Sequence, residues 1–272
     1  MTVLSWLIIF VFSLKCGGDF FNGIVALVGI CFAHLATNLF DDYVDYKKVN
    51  ESSQKCKCLY IKEGKVSLSD VLRVVLIYLS LAGLAGIFLL IRCGYPVLLL
   101  SLVGCFIVLL YAKLSQVGLS EFAVGLAFGP LLFEGVYFVM TESFSFEVLV
   151  LSFAVVMFTV GLLYVHTILD FEGDMFSHKK TLVCRIGDKN KAINGVFVIY
   201  GLGYLFTVVF SVMTKNFLVL FTFVLVPFVF DIAKSLKSFV CGDDTKEFYS
   251  RLLKPRNLMV YYSLLITLFL LF

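Results

Sequence analysis

Asn38-Leu39-Phe40-Asp41-Asp42-Tyr43-Val44-Asp45 closes a long apolar run with three carboxylates. Set on a helix, Asn38, Asp41, Asp42 and Asp45 are spaced i, i+3, i+4 and i+7, so all four share one face. Charged side chains at a membrane boundary cost free energy unless something pairs with them. Asp near a helix C-terminus also opposes the helix dipole. The simplest reading is a solvated helix end, but a structural end would more naturally carry Lys or Gly. This row is built to recruit positive charge, and a divalent cation is the simplest partner for several carboxylates.

The rest of the composition agrees with a membrane setting. The 272 residues are 61% hydrophobic and 15% charged, with a mean hydropathy of +1.00. A soluble domain is about 45–50% apolar and about 25% charged. The chain therefore reads as a polytopic, all-α protein of the lipid bilayer. A net charge of +3 is too small to imply a nucleic-acid partner. Most of the eight cysteines sit in or beside apolar runs, where Cys acts as a small hydrophobe. Cys56 and Cys58 are the one close pair, and no second pair completes a zinc site.

A spanning helix needs about 20 mostly apolar residues. Nine candidates follow: 2–15, 20–41, 68–91, 95–112, 118–140, 147–169, 192–213, 216–234 and 256–272. The first is short, and it has neither the basic leader nor the small-residue cleavage site of a signal peptide. It is expected to be a membrane helix lacking some leading residues. Eighteen of the 22 Lys and Arg fall in the loops after helices 2, 4, 6 and 8. The positive-inside rule then puts the N-terminus and those loops in the cytoplasm. Gly129-Pro130 predicts a kink in the fifth span. Gly83, Gly86, Gly201 and Gly203 are expected to serve close helix packing.

A second acidic pair, Asp170 and Asp174, ends another apolar run. His166, Asp170 and Asp174 share a face at i, i+4 and i+8, while Glu172 points away. His166 reads equally well as a polar residue packed inside the bundle. Hard oxygen ligands from two helices suit Mg²⁺, which keeps several waters and is shared with substrate phosphates. Lys62, Lys179 and Lys180 follow the two clusters closely. The positive-inside rule alone accounts for them, but with carboxylates and Mg²⁺ they also describe a diphosphate pocket. Surrounding membrane helices would house a long apolar tail.

These residues carry a resemblance to the UbiA superfamily of membrane prenyltransferases. More narrowly, the chain resembles the branch that prenylates 1,4-dihydroxy-2-naphthoate in menaquinone synthesis. Asn38 to Asp45 resembles that branch's first motif, with Asp41 standing where Asn is usual. Asp170 to Asp174, Lys179-Lys180-Thr181-Leu182 and Arg185-Ile186-Gly187 resemble the second. Gly118-Leu119-Ser120-Glu121, with Phe128-Gly129-Pro130, resembles a third signature, which marks the branch. Lys62 stands where the family often has Arg, so a bidentate phosphate contact becomes a point charge. An Arg-Pro segment that precedes the family's first helix has no counterpart ahead of Met1.

The resemblance implies one nine-helix membrane domain over residues 1–272, in a bacterial plasma membrane, with its active-site loops cytoplasmic. It implies two Mg²⁺ held by Asp42 and Asp45 on one side and Asp170 and Asp174 on the other. Asn38 and Asp41 would support the first ion, and Lys62, Lys179 and Lys180 would offset diphosphate charge. Tyr43, Tyr111 and Tyr137 are candidates to line the pocket of an aromatic acceptor. The donor would be a polyprenyl diphosphate. Rival acceptors are 4-hydroxybenzoate, homogentisate, a chlorin, haem or a glycerol ether lipid. A rival class is a cation-coupled transporter, whose acids would lie at the midplane and not at the cytoplasmic end.

Overall fold

A computed structural model describes residues 1–48, 59–176, 180–238 and 245–272. Every regular element among the described residues is helical. The elements are α1 (Thr2–Lys15), α2 (Phe20–Lys48), α3 (Leu59–Lys62), α4 (Leu68–Cys93) and α5 (Pro96–Gln116). Then come α6 (Ser120–Leu126), α7 (Leu132–Thr141), α8 (Phe146–Leu169), α9 (Phe171–Phe176) and α10 (Leu182–Ile186). The chain ends with α11 (Lys189–Thr214), α12 (Val226–Lys237) and α13 (Thr245–Leu270). A π-helical turn, Ala127–Leu131, joins α6 to α7, and a 3₁₀ segment, Phe217–Leu225, leads into α12.

Seven helical segments among the described residues are long and apolar enough to cross a membrane. All nine expected stretches are helical, but two fall short of that measure. The helix α1 has only 14 residues. The helix α13 opens with Lys246, Glu247, Arg251, Lys254 and Arg256 before its apolar half. A further difference concerns α2, which continues to Lys48 and does not stop near residue 41. The carboxylate row is thus part of the helix, as its single-face spacing requires.

Helix starts follow the side chains that satisfy exposed backbone N–H groups. Ser67 accepts from the Asp70 backbone N–H at 3.2 Å, and Ser145 accepts from that of Val148 at 3.4 Å. Asp188 accepts from Asn190 N–H at 2.8 Å and opens α11. The kink expected at Gly129-Pro130 is present. Gly129 leaves the helical region with φ −96° and ψ −111°, and the ladder widens to a π turn there. A Cβ on Gly129 would lie 3.1 Å from Val156, so the bend seats bare backbone against α8.

The dense core surrounds α8, which is buried on nearly all sides. Phe158 stacks on Tyr262 with centroids 3.6 Å apart, and Tyr262 shares a 2.5 Å hydrogen bond with Thr207. Bare helix faces let these rings in, since a Cβ on Gly203 would lie 2.9 Å from Phe158. Close van der Waals packing and interhelical hydrogen bonds hold helices together where lipid removes the hydrophobic drive. Gly203 therefore serves packing as expected. Gly201 does not: a Cβ there would meet nothing within 4 Å.

Short connections make successive helices alternate in direction. The ends of α2, α5 and α8 lie at one end of the bundle, here called the acidic end. The α1–α2, α4–α5 and α7–α8 turns lie at the other. There Arg92 donates to Asn22 Oδ1 at 2.7 Å and to Asp19 Oδ2 at 3.1 Å. Asn22 Nδ2 donates to the Val139 carbonyl at 2.8 Å, and Asp19 N–H to that of Met140 at 2.7 Å.

Candidate functional site

The last three turns of α2 present Asn38, Asp41, Asp42 and Asp45 on one face. Asp41 and Asp42 are half-buried. Tyr60 reaches across from α3 and donates its hydroxyl to Asp42 Oδ2 at 2.8 Å. That hydrogen bond orients the Asp42 carboxylate within the row. Ile61 and Val71 hold α3 in place through a small apolar cluster with Leu39, Tyr43, Tyr46 and Tyr60. Tyr60 escaped the sequence reading, although Tyr60-Ile61-Lys62 reads as a short apolar patch that would need to dock somewhere.

Asp170 caps the end of α8, where its Oδ2 lies 3.3 Å from His166 Nδ1. The chain turns there, yet Asp174 N–H still donates to the Asp170 carbonyl at 2.8 Å. One helical turn thus survives the break and keeps the i, i+4 relation. Asp174, on α9, is buried. His166 also meets the Phe248 ring edge-on with centroids 5.7 Å apart.

Both acidic clusters lie at the acidic end. Among the described residues, however, no three His, Cys, Asp or Glu side chains come close enough to hold a metal ion by themselves. The oxygen donors are hard, which fits Mg²⁺ that retains water and borrows phosphate oxygens. They do not fit a cage made of protein alone. The side chains of Asp45 and Lys62 fall outside what is described, and Lys179 lies outside the described residues, as do Cys56 and Cys58.

Lys180 is exposed, and its carbonyl packs against Gly118 in the α5–α6 turn. Gly118 has φ +72°, and a Cβ there would collide with the Lys180 oxygen. Arg185 donates to the Val117 carbonyl, and Thr181 accepts from the Cys184 N–H at 3.3 Å. The segment after the second cluster is therefore fastened to the start of α6. Glu121, in the first turn of α6, is buried; its Oε2 accepts from Ser120 at 2.9 Å.

A cavity of about 860 Å³ opens beneath the first cluster. Its walls are α2, α4, α5, the α6–α7 rod and, through Thr159 and Leu163, α8, with Met1 also at its edge, and its lining is almost wholly apolar. Asn38 and Tyr111 lie at its acidic end. His34 also lines it, one turn below Asn38 on the same helix face. Asn38 Nδ2 can only donate, so His34 Nε2 accepts at 3.3 Å. The ring proton is then assigned to Nδ1, which donates to Thr2 Oγ1 at 2.6 Å. The sequence reading passed over His34, whose signal was its position four residues before Asn38.

The tyrosines divide. Tyr111 lines the cavity, as expected of a substrate-facing residue. Tyr43 instead joins the α3 cluster, stacked near Phe40 and with Lys47 Nζ 4.7 Å above its ring. Tyr137 is buried near the opposite end of the bundle against Phe12. Neither Tyr43 nor Tyr137 borders the cavity.

A sequence profile of the UbiA prenyltransferase family matches residues 3–270. The chain is 21% identical over 188 residues to the 1,4-dihydroxy-2-naphthoate octaprenyltransferase of Bacillus subtilis (strain 168). That alignment covers 67% of this chain and 60% of the relative's length. The apo structure of a UbiA homolog from Aeropyrum pernix K1 matches with a TM-score of 0.71 at 18% identity, over 98% of both chains. A UbiA homolog from Archaeoglobus fulgidus, bound to GPP and Mg²⁺, matches with a TM-score of 0.64 at 11% identity. It covers 97% of this chain and 96% of that one. At these identities the structural matches establish the shared fold.

Proposed function

Because the chain belongs to the UbiA prenyltransferase family, we propose that it transfers a polyprenyl group from a polyprenyl diphosphate to an aromatic acceptor. The acceptor we assign is 1,4-dihydroxy-2-naphthoate, the step that yields a prenylated precursor of menaquinone. One observation carries the reading: Asn38 belongs both to the carboxylate face of α2 and to the lining of the apolar cavity. A diphosphate held at the row would therefore direct its hydrocarbon chain into the cavity.

In this reading Mg²⁺ is held by Asp42 and Asp45 from α2 and by Asp170 and Asp174 from the second cluster. Asn38 and Asp41 add oxygen donors. The hard donor set supports that cation, as does the Archaeoglobus fulgidus homolog bound to GPP and Mg²⁺. When bound, Mg²⁺ neutralises charge that builds on the diphosphate as the C–O bond breaks. Lys62, Lys179 and Lys180 offset the remaining charge as point cations. Tyr60 keeps the Asp42 carboxylate turned to one orientation. The apolar walls keep water from the electron-poor allylic carbon, so the electron-rich ring is the nucleophile that reaches it; the new C–C bond replaces the ring's carboxylate, which leaves as CO₂, while diphosphate leaves the donor. Tyr111 stands at the cavity's acidic end, beside the place where that ring would lie.

The choice of acceptor is supported by the Bacillus subtilis relative and by Gly118 to Glu121 with Phe128-Gly129-Pro130. The membrane reading extends to nine spans, with α1 and the apolar half of α13 completing the seven. The charge asymmetry supports a cytoplasmic acidic end in a bacterial plasma membrane.

The test is an assay of the purified protein in lipid with Mg²⁺, a labelled prenyl diphosphate and a panel of acceptors. Formation of a prenylated naphthoquinone precursor is expected. A product from 4-hydroxybenzoate or a glycerol ether lipid alone would overturn the acceptor. Substrate transport into liposomes without diphosphate release would overturn the enzyme reading.

A further inference from the structure

The cavity is a shaft. On α2 its lining runs from Ala26 to Asn38, a rise of about 18 Å at 1.5 Å per residue. On α5 it runs from Val97 to Tyr111, about 21 Å by the same measure. It therefore reaches from the acidic end almost to the opposite face. There Asn22 donates to the Val139 carbonyl and accepts from Arg92, which pairs with Asp19. Val139 and Ala26 line the shaft just above that network, which ties the ends of α2, α4 and α7 together as its floor.

Five helical glycines line this shaft: Gly29 on α2, Gly83 and Gly86 on α4, Gly104 on α5 and Gly135 on α7. A Cβ on Gly104 would touch Leu131 at 3.7 Å, whereas Gly83, Gly86 and Gly135 are not bare because a neighbour presses on them. A Cβ on Gly83 or Gly135 would meet nothing within 4 Å, and one on Gly86 only Ser101 Oγ at 3.6 Å. This corrects the expectation that Gly83 and Gly86 serve close packing. Gly29 shows the contrast, since a Cβ there would lie 3.1 Å from Ala85 on α4. Glycine is a poor helix former, so its use where nothing crowds it calls for another reason. The reason on view is open volume, kept at different depths. Counted from Leu79, the lining residue of α4 nearest the acidic end, Gly83 lies about 6 Å down and Gly86 about 10 Å. Gly135 is one turn above Val139, next to the floor.

We infer that Gly83, Gly86 and Gly135 determine which prenyl chain lengths the protein accepts, by leaving room for the chain to descend from Asn38 to the Asn22–Arg92 floor. The inference rests on the prenyl-transfer reading above. It assigns specificity to residues that touch only the unreactive part of the donor. Depth makes the assignment testable, because a plug high in the shaft must exclude chains that a plug near the floor still admits.

The experiment uses the full chain in lipid nanodiscs with all-trans prenyl diphosphates from geranyl to octaprenyl. Gly83→Leu, Gly86→Leu and Gly135→Leu are compared with the unsubstituted protein. The ratio of kcat/KM for the longest to the shortest donor is read, together with calorimetric binding of non-hydrolysable analogues. The ratio should fall about tenfold or more in each variant. The longest donor still accepted should increase in the order Gly83→Leu, Gly86→Leu, Gly135→Leu. The matching Ala variants, whose Cβ fits the open space, should shift the ratio the same way but less; they serve where a Leu variant does not fold. An unchanged ratio, or one cutoff regardless of depth, would sink the inference and leave prenyl transfer standing. Failure of the unsubstituted protein to turn over any donor would sink both.

Discussion

Tyr60 and Asp42 meet across 2.8 Å, although a chain segment of seventeen residues separates them. The contact joins a four-residue helix to the centre of the carboxylate row. It gives a sharp expectation for Tyr60→Phe, which removes the hydroxyl and keeps the ring packed beside Ile61. Hydrogen bonds to a ligating carboxylate are worth about 10–100-fold in metal affinity. The half-saturating Mg²⁺ concentration for turnover should rise by about tenfold, and the melting temperature should change little. A Mg²⁺ titration of both proteins decides it.

Asp42→Asn and Asp174→Asn remove charge from the two clusters with almost no change in shape. Each should lower turnover at least about a hundredfold, and added Mg²⁺ should not restore it. Circular dichroism and size-exclusion profiles in detergent should stay those of the folded protein. Near-normal turnover by either variant at saturating Mg²⁺ would mean that its cluster is not part of the site.

His34 links Thr2 to Asn38. His34→Leu leaves the Asn38 amide without its acceptor, so the half-saturating Mg²⁺ concentration should rise by about tenfold or more. His34→Gln offers a carbonyl oxygen at similar reach and should recover part of the loss. Equal effects of the two substitutions would argue for simple space filling. Binding of Mn²⁺ in the presence of a non-hydrolysable donor gives a readout separate from turnover.

Tyr111 and Tyr137 provide a paired control. Tyr111 borders the cavity, whereas Tyr137 lies at the far end against Phe12. Tyr111→Phe should raise the KM for the acceptor, and Tyr137→Phe should leave it within about twofold, the scale of ordinary surface effects. The reverse order would place the acceptor at the opposite end of the bundle.

Gly118→Ala tests the fastening between the α5–α6 turn and the segment after the second cluster. The substitution puts a Cβ at φ +72° and against the Lys180 carbonyl. Strain of this kind costs about 1–3 kcal/mol, so thermal unfolding should shift down. The KM for the donor should rise with it, because Lys180 moves with its own backbone.

Much of this arrangement was legible in the chain itself. Apolar runs of membrane length marked the helices, and the i, i+3, i+4, i+7 row marked one face of α2. Pro after Gly in the fifth span marked the kink at Gly129. Other features depend on neighbours that a one-dimensional pattern does not contain. Gly83 and Gly203 look alike in sequence, but one borders open space and the other takes the edge of Phe158. Tyr60 reads as an ordinary aromatic until α3 folds back onto Asp42. Tyr43 sits beside the carboxylates in sequence, yet helical geometry turns it to the Ile61 cluster. Hydropathy also treats a helix facing lipid and one facing a cavity as the same, so the shaft itself left no mark.

The contact between Gly118 and Lys180 has one further consequence. Its partner on the second side is a backbone carbonyl, which all twenty amino acids share, so any residue at position 180 can supply it. On the first side only the absence of a side chain will do. Substitution can therefore recolour the charge at 180 without moving the loop, while a single methyl group at 118 would displace the loop and leave every charge intact.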